Sequence, residues 1–133
     1  MTQFSQPRPA RRAPRANLRG TVAVAIQLEN GRQLSGKLHQ LSVTGGLLEL
    51  AGYIEERAWV GLAIPFASGT VHPTAEMMFP MRATIGYLQP FRFTRVREEE
   101  FHLLEREITG LLKQAVAGHG LGANPPRYFL ESR

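Results

Sequence analysis

The chain has 133 residues, which suits a single domain, and it has no cysteine, which excludes disulfides, thiolate metal sites and cysteine nucleophiles. All eleven acidic residues are glutamates, so aspartate-dependent catalytic sites and calcium loops are also excluded. Five arginines precede the first acidic residue, Glu29, and the remaining eleven basic side chains balance the eleven acidic ones, so the net charge of +5 belongs to the N-terminal arm. That arm is the predicted site for an anionic partner.

The predicted elements begin after this arm. Residues 1–20 contain three prolines and few apolar residues, which predicts a flexible segment. Residues 21–29 alternate in polarity and are followed by Asn30-Gly31, the strongest short hairpin signal, and by a second strand over 32–41. A tight turn at 44–46 then precedes a short strand over 47–50.

Glycine and proline separate three more predicted strands, 58–66, 74–81 and 84–96. Six short strands of this kind usually form a small antiparallel barrel or sandwich. Trp59 is expected in the core, and the core is also favoured over a partner surface for residues 77–79. From about Arg97 the apolar residues recur at helical spacing, with three glutamates in the first turn, which predicts an amphipathic helix ending the body of the domain at 116 and leaving 117–133 as a flexible tail.

Two short motifs flank the first hairpin. Arg11 and Arg15 are spaced Arg-x-x-x-Arg, and Gln40, Ser42 and Gly45 form Gln-x-Ser-x-x-Gly. The order of an RRxxR segment, an alternating strand, a hairpin, Ser-x-x-Gly-Gly and a short apolar strand resembles the PilZ domain family. The stretches LSVTGGLLEL and FRFTRVREEEFHLLEREI extend this resemblance to the second-to-third strand turn and to the passage from the last strand into the C-terminal helix.

The resemblance implies a mainly β fold, a six-stranded antiparallel PilZ-like barrel with a C-terminal amphipathic helix, in a bacterial cytoplasmic receptor for the second messenger cyclic di-GMP. The implied ligand-binding residues are Arg11, Arg12, Arg15, Gln40, Ser42, Gly45 and Gly46. The chemistry of these residue types suits the ligand. Arginine pairs bidentately with phosphates and guanine edges, a serine hydroxyl can donate, and glycine permits close approach of a ligand to the backbone. A flexible arm could also fold over the bound nucleotide and so change shape with it.

Gln40 departs from the family's Asp or Asn by at least one extra methylene and one extra rotor, so we expect Gln40→Asn or Gln40→Asp to tighten nucleotide binding. The alternative is a degenerate PilZ-like module that acts only through a protein partner. Sequence-independent nucleic-acid binding is disfavoured because the body is neutral. We expect no enzyme activity and no cofactor, since no nucleophile, base and orienting acid can be assembled from these motifs. We expect no metal site because the four histidines lack ligand spacing, and no membrane insertion because no apolar run could span a bilayer. A bacterial protein partner is expected, and the oligomeric state, a homodimer included, is left open.

Overall fold

The computed structural model describes residues 13–121, apart from the side chains of Arg19 and residues 115–121. Eight strands precede one helix in the described chain. The strands are β1 (Ala16–Gln27), β2 (Gln33–Leu41), β3 (Gly45–Leu50), β4 (Trp59–Phe66), β5 (Gly69–Val71), β6 (Thr74–Met77), β7 (Met81–Arg82) and β8 (Tyr87–Arg95), and the helix is α1 (Glu98–Leu121).

Six of the strands close into an antiparallel barrel. Its order is β1-β2-β3-β8-β6-β4, and a pairing of β4 with β1 completes the circle. The short strand β5 pairs antiparallel with the end of β4, and β7 pairs with the start of β8. The predicted six-stranded barrel with a C-terminal helix is therefore confirmed.

β1 begins at Ala16, five residues before the predicted start, and so takes in the last five residues of the predicted arm. The side chains of Ala16 and Leu18 are buried, and Ala16 pairs with Leu41 of β2. A bulge between Asn17 and Val22, in which Gly20 adopts a φ of 77°, interrupts the alternation that would have revealed this extension. Arg11 and Arg12 lie outside the described residues.

Two expectations about the barrel wall were wrong. The predicted strand 74–81 is two short strands, β6 and β7, separated by a segment that contains Pro80. Trp59 is on the outer face, where it pairs with Glu76 and is 54% exposed, because its neighbour Val60 takes the inward position of the strand. The core position favoured for residues 77–79 is correct for Met77, which is buried, and wrong for the two residues after it, which are exposed.

The helix packs on the barrel through Leu104 and Ile108, which are buried in the same core as the strand residues. It continues to Leu121, five residues past the predicted end at 116. Near its start, Glu100 accepts hydrogen bonds from the backbone N–H of His72 (2.7 Å) and from the ring of His72 (3.1 Å). Burial raises the pKa of Glu100, but the His72 bonds and the charges of His72 and Arg97 outweigh it, so its pKa lies below the ordinary value. In the described chain, no helix is long and apolar enough to cross a membrane.

Candidate functional site

The end of the arm and the end of β2 lie side by side. The register pairs Ala16 with Leu41 and Asn17 with Gln40, so Arg15, just before the paired residues, is a diagonal neighbour of Gln40. One guanidinium N–H of Arg15 donates to Oε1 of Gln40 at 3.1 Å, on the exposed surface. The two motifs, which are 25 residues apart in the chain, are therefore in direct contact through their last and first side chains.

A second bulge, at His39, positions Gln40. The pairing of β2 with β3 skips from Leu38 to Gln40, so that Leu38 and Leu41 are both fully buried although they are three residues apart. Gln40 between them is half-buried and reaches Arg15. The Nδ1 atom of His39 is buried and has no hydrogen-bond partner in the described structure.

Ser42 stabilises the turn that joins β2 to β3. Its backbone N–H donates to the Gly45 carbonyl at 2.8 Å, and its hydroxyl accepts from the backbone N–H of Thr44 at 3.2 Å. The hydroxyl also lies 3.0 Å from Oγ1 of Thr44, and the residue is only 4% exposed. The Ser42 side chain thus has partners within its own turn, as is common for serine in such loops.

Gly45 and Gly46 lie where the barrel leaves no space for a side chain. A Cβ atom at Gly45 would lie 2.2 Å from the carbonyl oxygen of Phe91, and one at Gly46 would lie 2.4 Å from the carbonyl oxygen of Gln40. Both obstacles are backbone atoms, which cannot move without disturbing the ladder. The packing of β3 between β2 and β8 therefore requires both glycines whether or not a ligand binds.

An open groove of about 580 Å³ runs between this turn and the end of β8. The motif glycines and two arginines of β8 line it, together with Thr44, Phe93, Phe101 and neighbouring residues. Of the sequence-predicted site residues, the structure therefore places Gly45 and Gly46 in the groove and joins Arg15 to Gln40 beside the same turn. Arg11 and Arg12 lie outside the described residues.

Arg92 is the residue that sequence reasoning missed. It pairs with Gly45 on one side and with Glu76 on the other, so these three residues form one row across the outer face of β3, β8 and β6. Its side chain is 60% exposed, and Nη2 lies 2.5 Å from Oε1 of Glu76. Strand alternation puts Arg92 on the side opposite to Phe91 and Phe93, but its cross-strand neighbours follow only from the register.

The groove presents two guanidinium groups, aromatic rings and backbone without side chains, a combination suited to an anionic ligand with aromatic bases. None of the residues that line it is acidic. Among the described side chains of residues 13–114, no group of three histidine or glutamate residues could hold a metal ion.

Comparison with solved structures identifies the architecture. Escherichia coli YcgR in complex with c-di-GMP superposes with a TM-score of 0.71 at 21% identity, covering 83% of this chain and 49% of YcgR. The PilZ domain of YcgR with c-di-GMP gives 0.64 at 20% identity, covering 84% of this chain and 98% of that domain. Apo MrkH from K. pneumonia gives 0.68 at 14% identity, with coverages of 86% and 55%.

The chain thus spans about half the length of YcgR and MrkH. No protein-family model and no curated protein matches its sequence. The chain has the PilZ fold.

Proposed function

We propose that this chain is a cyclic di-GMP receptor module that binds the nucleotide at the Arg15–Gln40 end of the barrel and has no catalysis of its own. The observation that carries the proposal is the 3.1 Å contact between Arg15 and Gln40, which joins the two motifs beside the Gly45–Gly46 turn. Solved structures of the same fold, YcgR among them, are complexes with c-di-GMP. The predicted site residues Arg11, Arg12 and Ser42 belong to the proposed site as well.

The chemistry of the site matches the ligand. Cyclic di-GMP carries two phosphodiester charges and two guanine bases, and guanidinium groups bind phosphates and guanine O6 and N7 in the same bidentate geometry. Arg15 offers one such group at the turn, and Arg92 and Arg95 offer two more in the groove. Because Gly45 and Gly46 carry no side chain, a base can approach the backbone between these arginines.

The arm supplies the switch in this proposal. Arg11 and Arg12 precede Arg15 by four and three residues, and Arg15 is anchored to Gln40 where β1 begins. Binding of the nucleotide by these three arginines would draw the arm onto the barrel, and the resulting surface would be recognised by a protein partner. The protein would thereby convert the concentration of the nucleotide into a change of shape.

Isothermal titration tests the proposal. We expect cyclic di-GMP to bind with micromolar or tighter affinity, about −8 kcal/mol or better, and GTP and a short DNA duplex to bind far more weakly. Arg15→Ala should weaken binding by roughly 1 to 3 kcal/mol, or about 5- to 150-fold. The matched control is Arg32→Ala, an exposed arginine beside the Asn30-Gly31 turn, which removes the same charge. Equal affinity of the two variants would refute the site.

A module that acts only through a protein partner is the second candidate. The structure favours it in one respect, because Arg15 already has a partner in Gln40 and the Ser42 hydroxyl has partners in its turn. In that case cyclic di-GMP would give no heat of binding, and an orthogonal assay such as ligand-observed NMR would detect no contact. Binding to DNA as strongly as to cyclic di-GMP would instead indicate a merely electrostatic arm.

A further inference from the structure

Six large apolar side chains are exposed around the β7–β8 hairpin and the loop before β4. We call them the apolar patch: Tyr53, Trp59, Met78, Phe79, Met81 and Ile85. Ile85 is 85% exposed at the tip of the hairpin, where Ala83 N–H donates to the Gly86 carbonyl. Phe79 is 67% exposed on the segment that leads into β7.

Contacts within the chain bring the segments that carry these residues together. The rings of Tyr53 and Tyr87 meet edge to face, with centroids 5.2 Å apart, and the guanidinium of Arg82 lies 5.7 Å from the centre of the Tyr87 ring. Tyr53 and Trp59 line a second groove, of about 530 Å³. The patch therefore combines a projecting hairpin tip with a recess between two aromatic side chains.

A buried glutamine holds the patch in place. Gln89 is fully buried, and its amide donates to the carbonyl oxygens of Ile54 (2.6 Å) and Met78 (2.8 Å). Its Oε1 accepts from the backbone N–H of Ile54 at 2.8 Å. Gln89 thus ties together the two loops that carry Tyr53 and Phe79. Exposed apolar side chains on a fixed backbone lose little freedom when another surface covers them.

The area and the charge of the patch identify what covers it. Six side chains of this size and exposure present roughly 600 to 800 Å², more than the largest patch of an ordinary monomer and close to the 800 Å² per partner of a stable complex. The charged residues that border it are Glu29, Arg32, Glu55, Glu56, Arg57, Glu76 and Arg82, four acidic and three basic. A surface with so little net charge that holds both a knob and a recess is complementary to itself.

We infer that the apolar patch is the interface of a symmetric homodimer, in which the hairpin tip of each copy inserts between Tyr53 and Trp59 of the other. The hairpin lies away from the proposed nucleotide groove. Arg82 pairs with Tyr87, five residues along β8 from Arg92, which is a distance of about 16 Å. The inference does not depend on the ligand, because the hairpin tip fills the groove between Tyr53 and Trp59, whereas the groove beside Arg92 is lined by other residues.

Analytical ultracentrifugation and tryptophan fluorescence of the full chain test the inference. We expect a concentration-dependent dimer, and Ile85→Glu and Phe79→Glu should each weaken dimerisation at least tenfold by burying a charge. Ala67→Glu, which adds the same charge on the exposed β4–β5 turn, should behave like the wild type. Trp59 is the only tryptophan, so its emission should shift to the blue as the dimer forms.

Three results would overturn the inference. The first is a wild-type chain that stays monomeric at about 100 μM, where an interface of this area should be populated. The second is a dimer that both glutamate variants leave intact. The third is a dimer whose formation leaves the Trp59 emission unchanged. Circular dichroism tests whether the variants fold. If they do not, the Trp59 emission of the wild type still shows whether the apolar patch is covered when the dimer forms.

Discussion

The sharpest prediction concerns Arg92, which the proposed function places against the nucleotide although neither motif contains it. Replacing Arg92 by Gln should weaken cyclic di-GMP binding much more than replacing Arg82 by Gln. Both variants remove one positive charge from an exposed side chain of the barrel. Their comparison therefore separates local contact from the overall attraction of a positive protein for an anion.

The magnitude follows from the geometry. Arg82 lies about 16 Å from Arg92 along the ladder, roughly two Debye lengths at physiological salt, so its charge contributes little at the groove. A lost bidentate contact at Arg92 should cost about 1 to 3 kcal/mol, or 5- to 150-fold in affinity. Removing the carboxylate of Glu76 should instead strengthen nucleotide binding. At about 8 Å from a phosphate and a dielectric constant of about 60 it repels by roughly 0.7 kcal/mol, so Glu76→Gln should tighten binding about threefold.

The assay is titration calorimetry of the three variants at one salt concentration, with thermal unfolding as the control for folding. The exposed Arg92–Glu76 pair should contribute at most about 1 kcal/mol to stability, so all three variants should remain folded. If Arg92→Gln and Arg82→Gln bind within twofold of each other, the nucleotide does not contact β8. If Glu76→Gln weakens binding, Glu76 positions Arg92 and the argument from repulsion is wrong.

Three further predictions concern the motif and the helix. Gly46→Ala should destabilise the fold by about 1 to 3 kcal/mol even without ligand, because its Cβ would collide with the Gln40 carbonyl and the Phe91 ring; the melting temperature measures this, and an unchanged value would contradict it. Gln40→Asn and Gln40→Asp should tighten nucleotide binding, and calorimetry showing both to be weaker would make the Arg15–Gln40 contact an adapted part of the site. The lowered pKa of Glu100 means that the stability it contributes is present above the ordinary carboxylate range and is lost as the pH falls through the lowered value. The unfolding free energy of Glu100→Gln, measured in urea between about pH 3 and 7, should therefore fall less steeply with acid than that of the wild type, and parallel profiles would contradict the assignment.

Periodicity and turn chemistry predict most of the fold. The hairpin at Asn30-Gly31, the strand that follows it and the helix near Arg97 all depend on local patterns, and the structure has them within a few residues of the predicted positions. The start of β1 was missed because its bulge breaks the alternation, and Trp59 was misplaced because a wholly apolar run does not reveal which side faces inward. Both errors occur where strand pairing determines the strand boundary or the direction of a side chain, and where the local sequence carries no signal for it.

The sequence, through the family resemblance, names residues of the candidate site that lie far apart in the chain, but it predicts contacts only between residues that are close in the chain. The turn at Ser42 and Gly45 is local, whereas the contact of Arg15 with Gln40 depends on the pairing of β1 with β2 across a bulge. The row of Arg92 with Glu76 depends on two further pairings. Residues that strand pairing brings together show no recognisable spacing in the sequence. For that reason no residue of β8 was included in the predicted site.

In the second motif, residues that the fold requires have to be distinguished from residues that indicate ligand binding. Ser42 closes its own turn, and Gly45 and Gly46 make room for the backbone and ring of neighbouring strands, so a barrel of this kind needs them in the absence of any ligand. A match to Ser-x-x-Gly therefore indicates the fold first and the nucleotide only indirectly. Evidence for binding has to come from side chains that the barrel does not need. Arg15 and Arg92 are exposed, so losing either should change affinity while leaving the melting temperature nearly constant, whereas losing a motif glycine should change both.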